Sequence, residues 1–215
     1  MTLTQKITIL LADDHPATRA GIRVLLAQAQ DIEIVGEVQS GAEVYDLVEK
    51  LKPRILLLDL VMPGPRPAEI EKRIRENYPE TITLVLTAHD RNVYLTAMMK
   101  AGAAGYLDKG KSAEQLINAI RRAANGEILF DSTQIRRARQ WQKSVGDKLE
   151  RLTPKEKEVL KLLAEGLDNR QIAALLKFTP KTAAYHVTNI LSKLQIASRQ
   201  EATVWALKNL SDDLE

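Results

Sequence analysis

The chain has 215 residues, 45% of them apolar and 27% charged, an ordinary globular balance with room for one large domain or two small ones. It contains no cysteine, which excludes a disulfide framework, a thiolate metal site and a cysteine nucleophile. The net charge of +3 does not by itself announce a nucleic-acid partner, but acids and bases balance over residues 1–125, so the positive excess belongs to the C-terminal part. There, residues 179–200 carry Lys181, Lys193 and Arg199 and no acid.

The first residues, MTLTQKITILLADDH, hold too short an apolar run before two acids for a signal peptide or a membrane span. A cytoplasmic protein with no membrane partner is expected. Strand-like runs follow at 6–12 (KITILLA), 32–38 (IEIVGEV), 54–58 (RILLL), 81–87 (TITLVLT) and 105–107 (GYL). Between them lie stretches of helical periodicity at 17–29, 42–51, 68–78, 92–101 and 113–125. Five successive βα units predict a parallel, doubly wound sheet covered on both sides, and short all-apolar strands suit such a sheet because both of its faces are buried.

The pattern changes after Asn125 and Gly126. Residues 131–152 are polar and basic with Ile135, Ala138 and Trp141 at helical spacing, which reads as a partly helical linker docking through Trp141. From Leu152 the chain is helical. Thr153-Pro154 with Glu156, Asp168 with Gln171, Thr179-Pro180, and Ser198 with Glu201 mark four helix starts, giving helices over 154–165, 169–176, 180–194 and 199–209. Only Lys177, Phe178 and Thr179 separate the second from the third, the tight connection of a helix-turn-helix. The expected division is an α/β domain over 1–125, a linker over 126–149 and an all-α domain over 150–215.

Polar residues recur at the carboxyl ends of the strands. Asp13 and Asp14 follow the first, Asp59 the third, Thr87 closes the fourth and Lys109 follows the fifth. Ligands of open α/β sheets bind outside those ends, and a strand order of 2-1-3-4-5 would bring the three carboxylates together. Like charges raise one another's pKa, and a hard divalent cation with oxygen ligands, Mg²⁺ above all, relieves this. Lys109 would add a second counter-charge and Thr87 a hydrogen-bond donor. Such a site suits a phosphoryl group, with a carboxylate as the acceptor nucleophile. Singly, an Asp after a strand is most often a turn or cap residue and a lysine is solvated. The weight lies in five such positions at four strand ends.

On LADDHP, LLLDLVMPG, VLTAHD and AGAAGYLDKG, residues 6–125 resemble the receiver domain of bacterial two-component response regulators, a flavodoxin-like fold with a five-stranded parallel sheet. The resemblance implies Asp59 as phosphoacceptor, Asp14 as a direct Mg²⁺ ligand, Asp13 as a ligand mostly through water, and the Val61 carbonyl as completing the set. It implies that Thr87 and Lys109 hold the phosphoryl group and that Tyr106 is the aromatic that changes rotamer on activation. One departure stands out. Where the family runs from MPG to a polar turn ending in Gly, this chain has PRPAEI, and a proline at 67 excludes a positive φ there. The loop is expected to be reshaped.

Residues 150–209, on LTPKEKEVLKLLAEGLDNRQIAALLKFTPKTAAYHVTNILSKLQIASRQEA, resemble the four-helix DNA-binding domain of the NarL/FixJ (LuxR-type) regulators. The helix over 180–194 has an apolar side (Ala183, Val187, Ile190, Leu191, Leu194) and an opposite side with Lys181, Thr182, Ala184, Tyr185, His186, Thr188, Asn189 and Lys193. Cations and helix starts hold phosphates, while nearby side chains read base edges. Lys181, Thr182, Arg170, Lys193 and Arg199 are assigned to the DNA backbone, and Tyr185 and Thr188 to bases. His186 fills the family's usual histidine position, as a phosphate contact or a surface residue. Ala183-Ala184 stands where Val-Lys is common, so a groove-facing lysine is missing; Ala184 can still touch a thymine methyl. In the family the outer face of the last helix pairs two DNA-binding domains, and Trp205 belongs to that face or to the core.

The resemblance implies a transcription regulator and not an enzyme. A sensor histidine kinase would phosphorylate Asp59, Thr87 would shift, Tyr106 would move inward, and the receiver would release the recognition helix for homodimeric binding to double-stranded DNA. A haloacid-type phosphohydrolase would want a second Asp where Val61 stands, and a dinucleotide enzyme a Gly-rich turn that ADDHPA lacks. A phosphorylation-independent or atypical regulator with altered DNA readout stays open on Pro65, Pro67, Ala183 and Ala184.

Overall fold

A computed structural model describes residues 6–88 and 90–210; His89 of the VLTAHD motif and the ends of the expected domains, 1–5 and 211–215, lie outside the described residues. The chain divides into two units between Arg136 and Arg137. The first contains β1 (Ile7–Ala12), α1 (Pro16–Leu26), β2 (Ile32–Val38), α2 (Gly41–Leu51), β3 (Ile55–Leu58), α3 (Pro67–Asn77), β4 (Ile82–Thr87), α4 (Asn92–Ala101), β5 (Gly105–Asp108) and α5 (Ala113–Ala124).

All neighbouring strands are parallel, in the order β2-β1-β3-β4-β5. Side chains alternate across a strand, so one set (Ile9, Leu11, Ile55, Leu57, Leu84, Leu86) packs with Ile22 and Leu26 of α1 and Leu116, Ile120 and Ala123 of α5. The alternate set, Leu10, Leu56, Leu58 and Val85, is equally buried, against the other layer, where α2, α3 and α4 follow side by side. Burial of both faces is why these strands read as unbroken apolar runs. The register aligns Ala12 with Leu58 and Leu58 with Val85, so the residues just beyond β1 and β3 stand together.

Pro67 is the first residue of α3, where its fixed φ suits the helix and its missing N–H is not needed. The positive φ of this loop falls instead on Gly64, at 113°. A Cβ there would stand 2.8 Å from the Ala42 amide nitrogen. The loop is stitched to the start of α2: the Pro63 carbonyl accepts from the Gly41 N–H at 2.8 Å and from the Ser40 hydroxyl at 3.0 Å.

Beyond Asn125 the chain keeps bonding to this unit. Leu129 packs against the α1–α5 side of the core and donates its N–H to the Ala104 carbonyl, and Gln134 Nε2 donates to the Tyr106 carbonyl at 2.9 Å. The expected linker is helical over most of its length: α6 (Ser132–Trp141), a π-helical turn (Gln142–Gly146) and α7 (Asp147–Glu150). Trp141, the expected anchor, is only half-buried, and the small side chains Ala138 and Val145 are the buried ones.

The second unit holds α8 (Pro154–Ala164), α9 (Asn169–Leu176), α10 (Pro180–Leu194) and α11 (Arg199–Asn209). Thr153 with Glu156 and Asp168 with Gln171 form full capping boxes, which satisfy two orphan amides at each helix start. Lys177 turns the chain between α9 and α10 in the left-handed conformation, with φ of 57°. Val159, Leu160, Leu163, Ile172, Ala183, Ile190, Leu194 and Ala206 make the core, and Trp205 packs against it. Trp205 is thus half-buried on the core, while Val204 and Leu207 of α11 are exposed.

Candidate functional site

The residue after β3 explains the acid in RILLLDLVMPG. Asp59 is 3% exposed, its N–H donates to the Ala12 carbonyl at 2.9 Å, and its Oδ1 accepts from the Leu60 N–H at 2.8 Å. The Lys109 ammonium, carried past the end of β5, lies 2.7 Å from Asp59 Oδ2 and 2.7 Å from Asp13 Oδ2. One cation thus joins the ends of β1, β3 and β5. The Lys109 N–H donates to the Thr87 carbonyl, which ties β4 to the same point, and Thr87 is buried.

Burial is the largest influence on Asp59 and raises its pKa; the hydrogen bond and charge of Lys109 pull it back, and Asp13 adds a smaller upward push. The repulsion between carboxylates expected from the sequence is present but secondary to burial and to the opposing pull of Lys109. For Lys109 burial works downward, yet its hydrogen bonds to Asp13 and Asp59 prevail and the net direction is upward.

Asp13 also accepts from the His15 N–H at 2.8 Å, and its carbonyl accepts from Arg19 Nη1 at 2.6 Å. Asp14 Oδ1 is a buried atom within 2.6 Å of His15 Nδ1 but without a hydrogen bond of acceptable geometry. Donor atoms of Asp13, Asp14, His15 and Asp59 all lie within 4.8 Å of one another. Tyr106 is buried in this structure, which removes a large apolar surface from water.

Helix α10 carries the other expected residues. Lys181, Tyr185 and Thr188 are exposed, and Thr182, Ala184, His186 and Asn189 are half-buried. The Thr182 and Thr179 hydroxyls share a hydrogen bond of 2.9 Å. His186 stacks on Phe178 with ring centroids 5.2 Å apart, and its Nδ1 is buried without a hydrogen bond. Lys193, expected on the DNA backbone, donates instead to both oxygens of buried Glu156, at 2.9 and 2.7 Å. Arg199 likewise turns inward, donating to Asn169 Oδ1 at 2.8 Å and to the Leu167 carbonyl. Arg170, at the start of α9, is exposed.

Residues 9–121 match the response regulator receiver domain, and residues 150–206 match the bacterial regulatory proteins of the luxR family. The chain belongs to the LuxR-type response regulators. It is 37% identical over 209 residues to the nitrate/nitrite response regulator protein NarL of Escherichia coli strain K12, covering 95% of this chain and 97% of that one. It is 36% identical over 205 residues to the response regulator protein VraR of Staphylococcus aureus, covering 94% and 97%. A structure of RcsB from Salmonella enterica serovar Typhimurium, bound to promoter P1flhDC with the phosphomimetic BeF3⁻, matches with a TM-score of 0.63 and 28% identity over 96% of this chain and 100% of that one.

As a LuxR-type response regulator the protein is a two-component transcription regulator with a receiver and a DNA-binding domain, in a family of regulators and not of enzymes. No helix among the described residues is long and apolar enough to cross a membrane. Sequence reasoning missed three residues of these sites. His15 follows the acid pair directly, so its nearness was available. Arg19, buried between the Asp13 carbonyl and Glu37, signals itself only as one of two arginines on an amphipathic helix, and Glu156 reads as a capping-box residue with no hint of its ion pair.

Proposed function

We propose that Asp59 of this response regulator accepts a phosphoryl group from a sensor histidine kinase. The change in charge then governs how the C-terminal helices engage double-stranded DNA, with the protein acting as a homodimer in the cytoplasm. The observation that carries the reading is the Lys109 ammonium at 2.7 Å from both Asp13 and Asp59, a fixed cation facing the acceptor carboxylate. In the transfer an Asp59 oxygen attacks phosphorus. The P–N bond to the kinase histidine breaks with its electron pair returning to the imidazole, and an acyl phosphate forms. Lys109 then pairs with a phosphoryl oxygen in place of a carboxylate, and the Thr87 hydroxyl donates to another.

The donor set fits Mg²⁺. The ligands would be oxygens of Asp14 and Asp59 directly, Asp13 through water, and the Val61 carbonyl. Asp14 Oδ1 is a buried acceptor 2.6 Å from His15 Nδ1 but with no hydrogen bond of acceptable geometry, and donor atoms of Asp13, Asp14 and Asp59 lie within 4.8 Å of one another. Bound there, the ion supplies neutralisation of the phosphoryl oxygens. Tyr106 and β5 adjoin the linker through the Gln134 hydrogen bond, a route by which charge at Asp59 can bias the chain beyond the receiver.

The test is intact mass after incubation with acetyl phosphate and Mg²⁺, with Asp59→Asn alongside. Gain of one phosphoryl group by the unaltered protein alone is expected; a gain by Asp59→Asn, or none by the folded parent, overturns the assignment. The second reading, a phosphorylation-independent regulator, rests on the departures at Pro65, Pro67, Ala183 and Ala184. It requires equal DNA affinity with and without acetyl phosphate.

A further inference from the structure

We infer that this regulator reads DNA through thymine methyls and adenine edges, so that its preferred sites present A·T pairs, not guanine, to the middle of α10. The inference rests on the DNA-binding reading above. Lys181 and Thr188 each lie three or four residues from both Ala184 and Tyr185, so the four share the face of α10 opposite buried Ala183, Val187 and Ile190. Lys181 sits in the first turn, where a cation meets the DNA backbone. The helix's other cation, Lys193, is held by both oxygens of Glu156. No ammonium or guanidinium therefore stands at mid-helix, where a charged bidentate contact to guanine O6 and N7 would need one.

What does stand there is uncharged: a methyl, a phenol ring, a threonine and an amide. Ala184 offers a methyl. Tyr185 is 65% exposed, an aromatic ring left in water beside Ala184. The Thr188 hydroxyl donates back to the Ala184 carbonyl at 3.1 Å, which leaves its methyl and an acceptor lone pair for a partner. The thymine 5-methyl is the apolar group that the major groove presents, and it matches all three. Asn189, one step round from Thr188, carries the side chain whose amide suits the N6 and N7 of adenine, the partner of thymine.

The experiment is selection from random duplexes by the full-length protein, with and without prior treatment with acetyl phosphate and Mg²⁺, at one fixed salt concentration, followed by replacement of each dT in the selected site with dU. That exchange removes the methyl and nothing else. The expected result is an A·T-rich site whose affinity falls about fourfold for each contacted methyl, the equivalent of about 0.8 kcal/mol per buried methyl-sized group. Tyr185→Ala should reduce the dT–dU difference while retaining salt-dependent non-specific binding, with helical circular dichroism and cooperative unfolding verifying its folding. Ala184→Lys should move the preference toward guanine. A guanine-centred site, or a dU duplex bound as tightly as its dT parent, overturns the inference and leaves the DNA-binding reading standing. Absence of any enriched or retained duplex overturns both.

Discussion

Replacing Glu71 with glutamine should stabilise the receiver at neutral and alkaline pH and leave it nearly unchanged in acid. Glu71 lies on α3 with 0% exposure, and neither of its carboxyl oxygens has a hydrogen-bond partner. Two further buried hydroxyls without partners, Thr83 on β4 and Thr96 on α4, mark the same α3–β4–α4 layer. Burial pushes the Glu71 pKa up from 4.5 to about 7, against weaker downward pulls from Thr83, which makes no hydrogen bond to it, and Arg75. The folded-state pKa is therefore above the unfolded one. Stability is fully present below pH 4.5 and is lost as pH rises through about 7, because the chain must then bury a charge or take up a proton. At about 1.4 kcal/mol per pKa unit the loss is about 3 kcal/mol, all of it absent from the glutamine variant. Both tryptophans, Trp141 and Trp205, lie beyond the receiver sheet, so fluorescence is the wrong probe. Urea unfolding followed by hydrogen–deuterium exchange of β3 and β4 peptides, from pH 5 to 8, is the right one. Asp59, whose pKa is also raised, contributes equally to both proteins and cancels. A parent-minus-variant difference that stays flat across this range would refute the reasoning.

Two further outcomes test the structure. Lys193→Met should destabilise the helical domain by about 2 kcal/mol, less than a fully buried pair because Lys193 is 35% exposed, and should leave the salt slope of DNA binding unchanged. Tryptophan fluorescence during urea unfolding reads the first effect, and binding at several salt concentrations reads the second; a slope reduced by one unit would return Lys193 to the DNA backbone. Gly64→Ala places a Cβ against the Ala42 amide at a φ of 113°, and strain of about 1–3 kcal/mol should slow labelling by acetyl phosphate and increase exchange at the start of α2. Parental labelling rates in that variant would show that the Pro63–Ser40 stitching does not position the site.

Much of this molecule was legible residue by residue. The βα alternation, the all-apolar β3, the capping boxes at Thr153 and Asp168 and the short α9–α10 turn all depend on neighbours within about four residues, and the structure reproduces them. Placing Asp13, Asp14, Asp59, Thr87 and Lys109 at strand ends needed only strand periodicity and one topological rule.

What the sequence could not specify was the partner of each long side chain. Lys193 and Glu156 are 37 residues apart, and nothing local distinguishes a lysine bound for DNA from one folded back on a buried carboxylate. His186 against Phe178, the buried Tyr106, the half-buried Trp141 and the isolated Glu71 have the same origin. Backbone pattern and capping are short-range, so composition and spacing determine which elements form and which faces are apolar. Ion pairs, ring stacking and buried charges depend on how those faces close on one another, and only the tertiary structure decides that.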